Sequence, residues 1–297
     1  MKNIQNITNI LTFDLEDWFH ILELPQPVGK SEWNRMPSHA EKGLDLFLDI
    51  LFRNNITCTF FILGWVADKH PDFVRKLNSL NHEIASHGYF HEMISDLKPD
   101  RFRNDIRRSK KILEDLSGKE IKGYRGPGFS ITSKNRWALD IIAEEGFQYD
   151  ATLYPGRHGH GGIPGLPIWP FIIQTENDHH IEEYPVTLIT IANYRFAFSG
   201  GGYFRLFPRV IISKYINMFN RKGIPVLSYL HPRDLDSKSP KLPMPRIRRF
   251  KCYINVSGSV KKLEKLLQKH SFGSIENWRK SNKDSLKIFN LGKNSWA

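Results

Sequence analysis

Apolar runs typical of β-strands alternate along the chain with segments whose apolar positions repeat at helical spacing. Residues 38–55 place leucine and phenylalanine on one face, which predicts a helix with Ser38 as its N-cap. Three further segments have a helical pattern: 67–81, 99–118 and 133–146. The apolar runs predict strands at residues 9–13, 56–63, 83–87, 121–126, 147–150, 181–186 and 224–231. This alternation predicts an α/β fold of parallel strands joined by helices, either a barrel or a doubly wound sheet.

Polar side chains stand where five of the predicted strands end. They are Asp14, His87, Arg125, Asp150 and His231. In barrels and doubly wound sheets the chemistry lies at the carboxyl ends of the strands. All five side chains are suited to acid–base or metal chemistry, so we expect them to share one site.

Two glycine-rich segments are predicted to be loops over these strand ends. Residues 155–170 are too irregular for a helix or strand and are interpreted as a substrate wall. Residues 199–208 contain three consecutive glycines, which would let the backbone approach a ligand closely or form a flexible hairpin.

His87 and His91 are four residues apart, a spacing that can bring two imidazoles to one side of a turn. A catalytic metal site needs about three protein ligands and one open position. Asp14, Glu16 and Asp17 supply carboxylates at another strand end. Without such a third ligand, the two histidines would be ordinary histidines with no metal-binding role.

Two pairings are candidates for acid–base chemistry. Asp14 beside Arg125 would stay ionised and held in place, although the same pair could simply close the rim of a barrel. His231 could protonate a leaving amine, with a carboxylate such as Asp150 holding the imidazolium, or it could be a buried structural histidine.

The composition is that of a globular protein, with 297 residues, 40% hydrophobic and 25% charged. The net charge of +12 lies in residues 238–297, which contain fifteen Lys/Arg and three Asp/Glu. This basic segment predicts a nearby anionic surface, such as a phospholipid membrane, a phosphate-bearing carrier or an acidic polymer, unless it is a solvated helix. No nucleic-acid motif accompanies the charge, so nucleic acid is not an expected partner.

The remaining bulk features predict a cytoplasmic protein. The first residues have no secretory pattern, and no apolar run approaches the roughly 20 residues of a spanning helix. Cys58 and Cys252 make no disulfide framework. We therefore expect a reduced protein in the cytoplasm, where the basic segment could sit at the inner membrane face.

Four motifs in order, "TFDLED", "SHGYFH", "RGPGF" and the "LH" of "SYLHP", resemble those of the NodB-type polysaccharide deacetylases, carbohydrate esterase family four. This resemblance runs from about Asn9 to Leu235. Further stretches, including "YDATLYPGRHGHGGIPG", "GGGYFRLFP" and "PRIRRFKCYINV", resemble a subgroup with an extra C-terminal segment that is associated with exopolysaccharide export loci.

The resemblance implies a distorted (β/α) barrel over residues 1–237, with residues 238–297 packed on it as a basic extension. It also implies a divalent metal, usually Zn²⁺ with Co²⁺, Ni²⁺ or Mn²⁺ as alternatives. The implied reaction is hydrolysis of an N-acetyl group from an amino sugar of a polysaccharide or its precursor, the N-acetylated glycan being bound as a polymer, a nucleotide sugar or a lipid-linked sugar.

The same resemblance implies a role for each matching residue. Asp14 would be the catalytic base, oriented by Arg125, and His231 the acid, with Asp150 as its partner. The metal ligands would be His87, His91 and one carboxylate, Asp17 or Glu16. Candidate contacts to the transition state and substrate are the Gly128 N–H as oxyanion donor, and Phe129, Tyr154, Trp169 and Tyr203.

Two departures from the family pattern affect these assignments. The usual adjacent aspartates are replaced by Asp14 and Leu15, followed by Glu16 and Asp17. Glu16 would share the strand face of Asp14, but Asp17 is preferred because a short carboxylate is the family norm. Gly128 and Phe129 replace the usual aromatic–glycine pair, which leaves the groove wall there open.

Two other functions fit the same motifs. One is hydrolysis of another C–N amide, either the formyl group of a lipid-linked amino sugar or a cyclic ureide. The other is a non-catalytic carbohydrate-binding relative. Such a relative would typically lack Asp14, His87, His91 or His231, and all four are present here.

Overall fold

Parallel strands flanked by helices make up the computed structural model, which describes residues 7–22, 24 and 28–296. The strands are β1 (Asn9–Leu15), β2 (Thr59–Ile62), β3 (Glu83–Ser86), β4 (Gly123–Tyr124), β5 (Tyr149–Asp150), β6 (Phe171–Gln174), β7 (His180–Glu183), β8 (Leu188–Ile191), β9 (Tyr194–Ala197), β10 (Leu227–Leu230), β11 (Phe272–Gly273), β12 (Ile288–Asn290) and β13 (Ser295–Trp296). The α-helices are α1 (Ala40–Arg53), α2 (Gly64–Lys69), α3 (Pro71–Ser79), α4 (Pro99–Ser117), α5 (Trp137–Glu144), α6 (Gly201–Leu206), α7 (Arg209–Asn220), α8 (Pro232–Leu235), α9 (Arg246–Tyr253), α10 (Ser259–Leu267) and α11 (Ile275–Asn282).

The main sheet has the strand order β10-β1-β2-β3-β4-β5-β7-β6-β12-β13, with β11 also paired to β1. Strands β10, β1, β2, β3, β4, β5 and β7 pair in parallel, so their carboxyl ends meet at one edge. The α/β fold predicted from the strand–helix alternation is confirmed.

Side chains along β1 point alternately to the two faces of the sheet, and this decides which of them face the site. Leu11 and Phe13 point to the helical layer, where the Phe13 ring stacks on Phe47 of α1 at 4.3 Å. Ile10 lies instead in a separate cluster with residues of other strands. Because side chains of a strand alternate between faces, Asp14 shares the face of Ile10.

Helix boundaries differ from the predicted ones where local chemistry intervenes. The single helix predicted over 67–81 is two helices, since Pro71 has no N–H and favours an extended residue before it. Ser38 lies one position before the N-cap of α1, and its hydroxyl accepts from Ala40 N at 3.3 Å.

The two glycine-rich segments have different structures. Residues 155–170 contain no helix or strand, as predicted. The prediction of a loop at 199–208 is wrong, because helix α6 lies within these residues. A Cβ on Gly200 would lie 2.1 Å from the Tyr229 ring, so this glycine permits close packing against that ring.

Residues 238–297 are joined to the rest of the chain through the main sheet. Strand β11 pairs with β1, and β12 pairs with β6. Helix α10 packs on α1, and α9 packs on α6 beside the carboxyl ends of the strands. In the described part of the chain, no helix has the length and apolar character that crossing a bilayer requires.

Candidate active site

Glu16, His87 and His91 form a buried cluster at the ends of β1 and β3. Each offers one ligand atom, and these atoms all lie within 4.8 Å of one another. Nδ1 of His87 lies 2.7 Å from the backbone carbonyl of Arg125, so its N–H donates there and leaves Nε2 for a ligand. Burial lowers the pKa of His87 to about 4, which keeps the ring neutral at physiological pH.

Glu16 supplies the negative charge of this cluster. Its Oε2 contacts Nε2 of His91, and its Oε1 accepts from Arg233. Burial alone would raise the pKa of Glu16, but the charges of His91 and Arg233 outweigh it and hold that pKa well below its usual value. Two imidazoles and one carboxylate are a donor set that suits zinc and related divalent metals, so these residues fit such an ion.

Asp17, the carboxylate preferred from the sequence, points elsewhere. Its Oδ1 accepts from Trp18 N at 2.9 Å and from His39 N at 3.0 Å. The chain turns tightly after Leu15, with Glu16 N donating to Asp14 O, and Asp17 then caps a short 3₁₀ helix. The structure therefore groups Glu16, not Asp17, with the two histidines.

Asp14 is fixed by Arg125 directly beside this cluster. Nη1 of Arg125 donates to Asp14 Oδ1 at 2.6 Å and to Thr12 Oγ1 at 2.8 Å. The guanidinium lies 4.0 Å from the centre of the Phe61 ring, and both members of the ion pair are buried. Asp14 Oδ2 is 3.8 Å from Nε2 of His231. A carboxylate clamped on one oxygen keeps its other oxygen available for a proton.

His231 has Asp234 as its carboxylate partner. Nδ1 of His231 lies 2.9 Å from Asp234 Oδ2, and Nε of Arg205 lies 2.9 Å from Asp234 Oδ1. Burial would raise the pKa of Asp234, but Arg205 and His231 outweigh it and lower that pKa. The ionised Asp234 orients the His231 ring, whose Nε2 faces Asp14.

Asp150 does not hold His231 as predicted, because it lies next to another acid. Asp150 is the register partner of Glu183 on β7, and its Oδ1 accepts from Thr152 Oγ1 at 2.5 Å. Burial raises the pKa of Asp150 to about 6, and burial with the charge of Asp150 raises that of Glu183 well above its usual value. Burial beside Asp150 therefore favours the protonated form of Glu183.

One cavity of about 270 Å³ opens over these groups. Of the predicted oxyanion and substrate contacts, Gly128, Phe129, Tyr154 and Tyr203 line it. Trp169 does not. Its ring is 39% exposed and lies parallel to Trp296, with 6.2 Å between the ring centres. Its position outside the cavity wall corrects the prediction for this residue.

Several residues of the site were not found from the sequence. Asp234 carried a usable signal, because His-Pro-Arg-Asp places an acid at the third position of a helix, where it returns to the N-cap. Arg205 had no signal, since only the fold brings α6 to α8. His20 is buried near His91, and its Nε2 has no hydrogen-bond partner among the described residues.

Two family models match consecutive parts of the chain. Residues 33–149 match the model named polysaccharide deacetylase, and residues 151–280 match a domain of unknown function, DUF3473. Each model matches less than half of the chain, and the two matched ranges adjoin at residues 149–151. The first match includes His87, His91 and Arg125, whereas Asp14 and His231 lie outside it.

Curated relatives match over short segments. The peptidoglycan-N-acetylglucosamine deacetylase of Bacillus cereus is 34% identical over 94 residues, which cover 31% of this chain and 34% of that protein. The chain spans about a third of the length of the curated relatives it matches.

Solved structures match nearly the whole chain. A Mycobacterium smegmatis protein assigned as a polysaccharide deacetylase has a TM-score of 0.67 and 19% identity, covering 96% of this chain and 93% of that one. The PuuE allantoinase has a TM-score of 0.63 and 16% identity with the same coverage. These similarities confirm the predicted fold, a distorted (β/α) barrel of the polysaccharide deacetylase type.

Proposed function

We propose that this protein is a metal-dependent hydrolase that removes N-acetyl groups from amino sugars of a polysaccharide or its precursor. The proposal rests on one observation, which is that three groups of side chains lie together at one cavity. They are the Glu16–His87–His91 cluster, Asp14 clamped by Arg125, and His231 held by Asp234.

A divalent cation bound by the cluster would lower the pKa of a water molecule and polarise a carbonyl group. Asp14 is placed to accept the proton of the attacking water, because Arg125 occupies only its Oδ1. Nε2 of His231 faces Asp14 across 3.8 Å and can donate a proton to the departing amine. Hydrolysis then yields acetate and a free amino sugar.

Other side chains would position the substrate. The Gly128 N–H is a candidate donor to the oxyanion, since Gly128 lines the cavity at a φ of +63°. Phe129, Tyr154 and Tyr203 form an aromatic wall suited to a sugar ring. The Bacillus cereus relative is named for N-acetylglucosamine, which supports this sugar as the first substrate to test.

A second candidate is hydrolysis of a different C–N amide, favoured by the structural similarity to an allantoinase. Incubating the zinc-loaded protein with N-acetylglucosamine oligomers, N-formyl amino sugars and allantoin separates the two. We expect acetate and an equal amount of free amine from the first substrate only. Formate release, or turnover of allantoin, would instead support the second candidate. His87→Ala should be inactive on every substrate.

The choice of carboxylate ligand can be tested independently of activity. Glu16→Gln should lower Zn²⁺ affinity about 100-fold in calorimetric titration, because a neutral amide replaces the only anionic ligand. The matched control is Asp17→Asn, which should keep normal zinc affinity. Loss of zinc binding in Asp17→Asn, with normal binding in Glu16→Gln, would restore the ligand that was predicted from the sequence.

A further inference from the structure

Helix α9 presents apolar side chains to solvent. In this helix, which lies entirely within the described residues, no side chain is buried. Ile247 is 74% exposed and Phe250 is 57% exposed. Because they are three positions apart, both lie on one face of the helix. Exposed apolar groups that lie together on one surface are typical of a binding surface.

The same helix is strongly cationic. It contains Arg246, Arg248, Arg249 and Lys251 and no acidic residue. Elsewhere in the basic segment, Lys262 donates to carbonyls of α6 and its C-cap, and Arg279 pairs with Glu182. Helix α9 therefore combines four exposed basic side chains with two exposed apolar side chains within eight residues.

Helix α9 is held at the mouth of the catalytic cavity. Arg205, which pairs with Asp234, also donates to the carbonyls of Lys251 and Cys252 at the end of α9. Phe250 and Lys251 line the cavity, as does Leu206, which is 43% exposed. A surface that binds α9 would therefore lie directly over the cavity opening.

Three kinds of partner could bind helix α9, and its charge and exposed apolar side chains favour one of them. A second copy of the chain would bring together two proteins of charge +12, which repel each other. A soluble polyanion would use the arginines but gain little from Ile247 and Phe250. An anionic bilayer satisfies both, because basic side chains reach the headgroups while apolar side chains enter the acyl boundary.

We propose that α9 docks the cavity mouth onto an anionic phospholipid surface, with Ile247 and Phe250 inserted. Taken together with the proposed function, on which this consequence rests, the docking would present the active site to N-acetylated sugars carried at that surface, such as lipid-linked intermediates. The docking itself does not depend on the reaction.

The test is co-sedimentation of the full-length protein with vesicles. The protein should bind vesicles of equal parts phosphatidylcholine and phosphatidylglycerol, and not vesicles of phosphatidylcholine alone. Ile247→Ser should weaken binding about 10-fold through loss of buried apolar area. Arg246→Gln with Arg249→Gln should weaken it about 30-fold. The matched control is Phe52→Ser on α1, where an 83% exposed phenylalanine lies outside the cavity lining and should not affect binding.

Three outcomes would overturn the proposal. They are absence of binding to the mixed vesicles, equal binding by Ile247→Ser and the parent protein, and equal losses in Ile247→Ser and Phe52→Ser. Heparin binding that matches vesicle binding and is unaffected by Ile247→Ser would identify a polyanion site instead. Ile247→Ser should retain acetate release from a soluble oligosaccharide, which separates failure of docking from failure of the proposed reaction.

Discussion

Asp14 and Asp150 are both buried aspartates at the ends of parallel strands, yet their surroundings give them opposite properties. Asp14, on β1, lies 2.6 Å from Arg125 and lines the cavity. Asp150, on β5, lies beside Glu183, and its pKa is raised to about 6 by burial. Asp14 therefore has a cation as its buried neighbour, whereas Asp150 has a second acid.

This difference shows that side chains from other strands, and not its own position, give a strand-end carboxylate its surroundings. Arg125 reaches Asp14 because its side chain crosses the interior of the barrel from the end of β4. Glu183 reaches Asp150 because β7 lies next to β5 in the sheet. Neither neighbour is close in the sequence to the aspartate it affects.

The largest expected effect comes from removing the candidate base. Asp14→Asn should reduce kcat for acetate release by about 10³-fold or more, because the amide cannot accept the water proton. Asp150→Asn should change kcat only a few-fold. Steady-state assays of both zinc-loaded variants measure this contrast, and zinc titration of Asp14→Asn should show retained metal binding.

Two results would contradict the predicted difference between Asp14→Asn and Asp150→Asn. Comparable loss of kcat in both variants would place Asp150 in the reaction. Loss of zinc from Asp14→Asn would make Asp14 a metal ligand instead of a base.

A smaller effect is expected from the carboxylate that holds His231. Asp234→Asn should lower kcat about 100-fold, because it removes the charge that stabilises the imidazolium. It should also shift the alkaline limb of the kcat–pH profile, where the proton donor loses its proton, to lower pH. Asp150→Asn is the matched control and should leave that limb in place. If only Asp150→Asn shifted it, the partner predicted from the sequence would be correct.

Much of the architecture could be predicted because it depends on local patterns. The structure contains the predicted strands that end at or next to Asp14, His87, Arg125, Asp150 and His231. They could be predicted because apolar residues are spaced differently in strands and in helices. The helix break at 70–71 could have been found as well, since Pro71 carries its own signal.

The errors arose where pairing across the fold decides the outcome. The choice of Asp17 over Glu16 depends on the direction of the chain after β1, which a tight turn sets. The choice of Asp150 over Asp234 depends on which strand lies beside β5. Trp169 was expected in the cavity because it is aromatic and lies in a loop, but its position is set by stacking on Trp296.

The smallest expected effect concerns stability, and it tests the raised pKa of Asp150. Since the folded-state pKa of Asp150 is raised from its usual value to about 6, the folded protein binds this proton more tightly than the unfolded chain does. The stabilisation is therefore fully present below about pH 4 and is lost as the pH rises through about 6. Asp150→Asn should remove this dependence, because the amide does not titrate and its Oδ1 can still accept from Thr152.

Urea unfolding of the metal-free parent and variant at about pH 5 and about pH 8 measures the effect. The difference in unfolding free energy should move by roughly 1.4 kcal/mol in favour of Asp150→Asn at the higher pH. A difference that stays constant between the two pH values would show that Asp150 does not titrate between them in the folded protein. The contrast between Asp14 and Asp150 would then lie only in their exposure to the cavity.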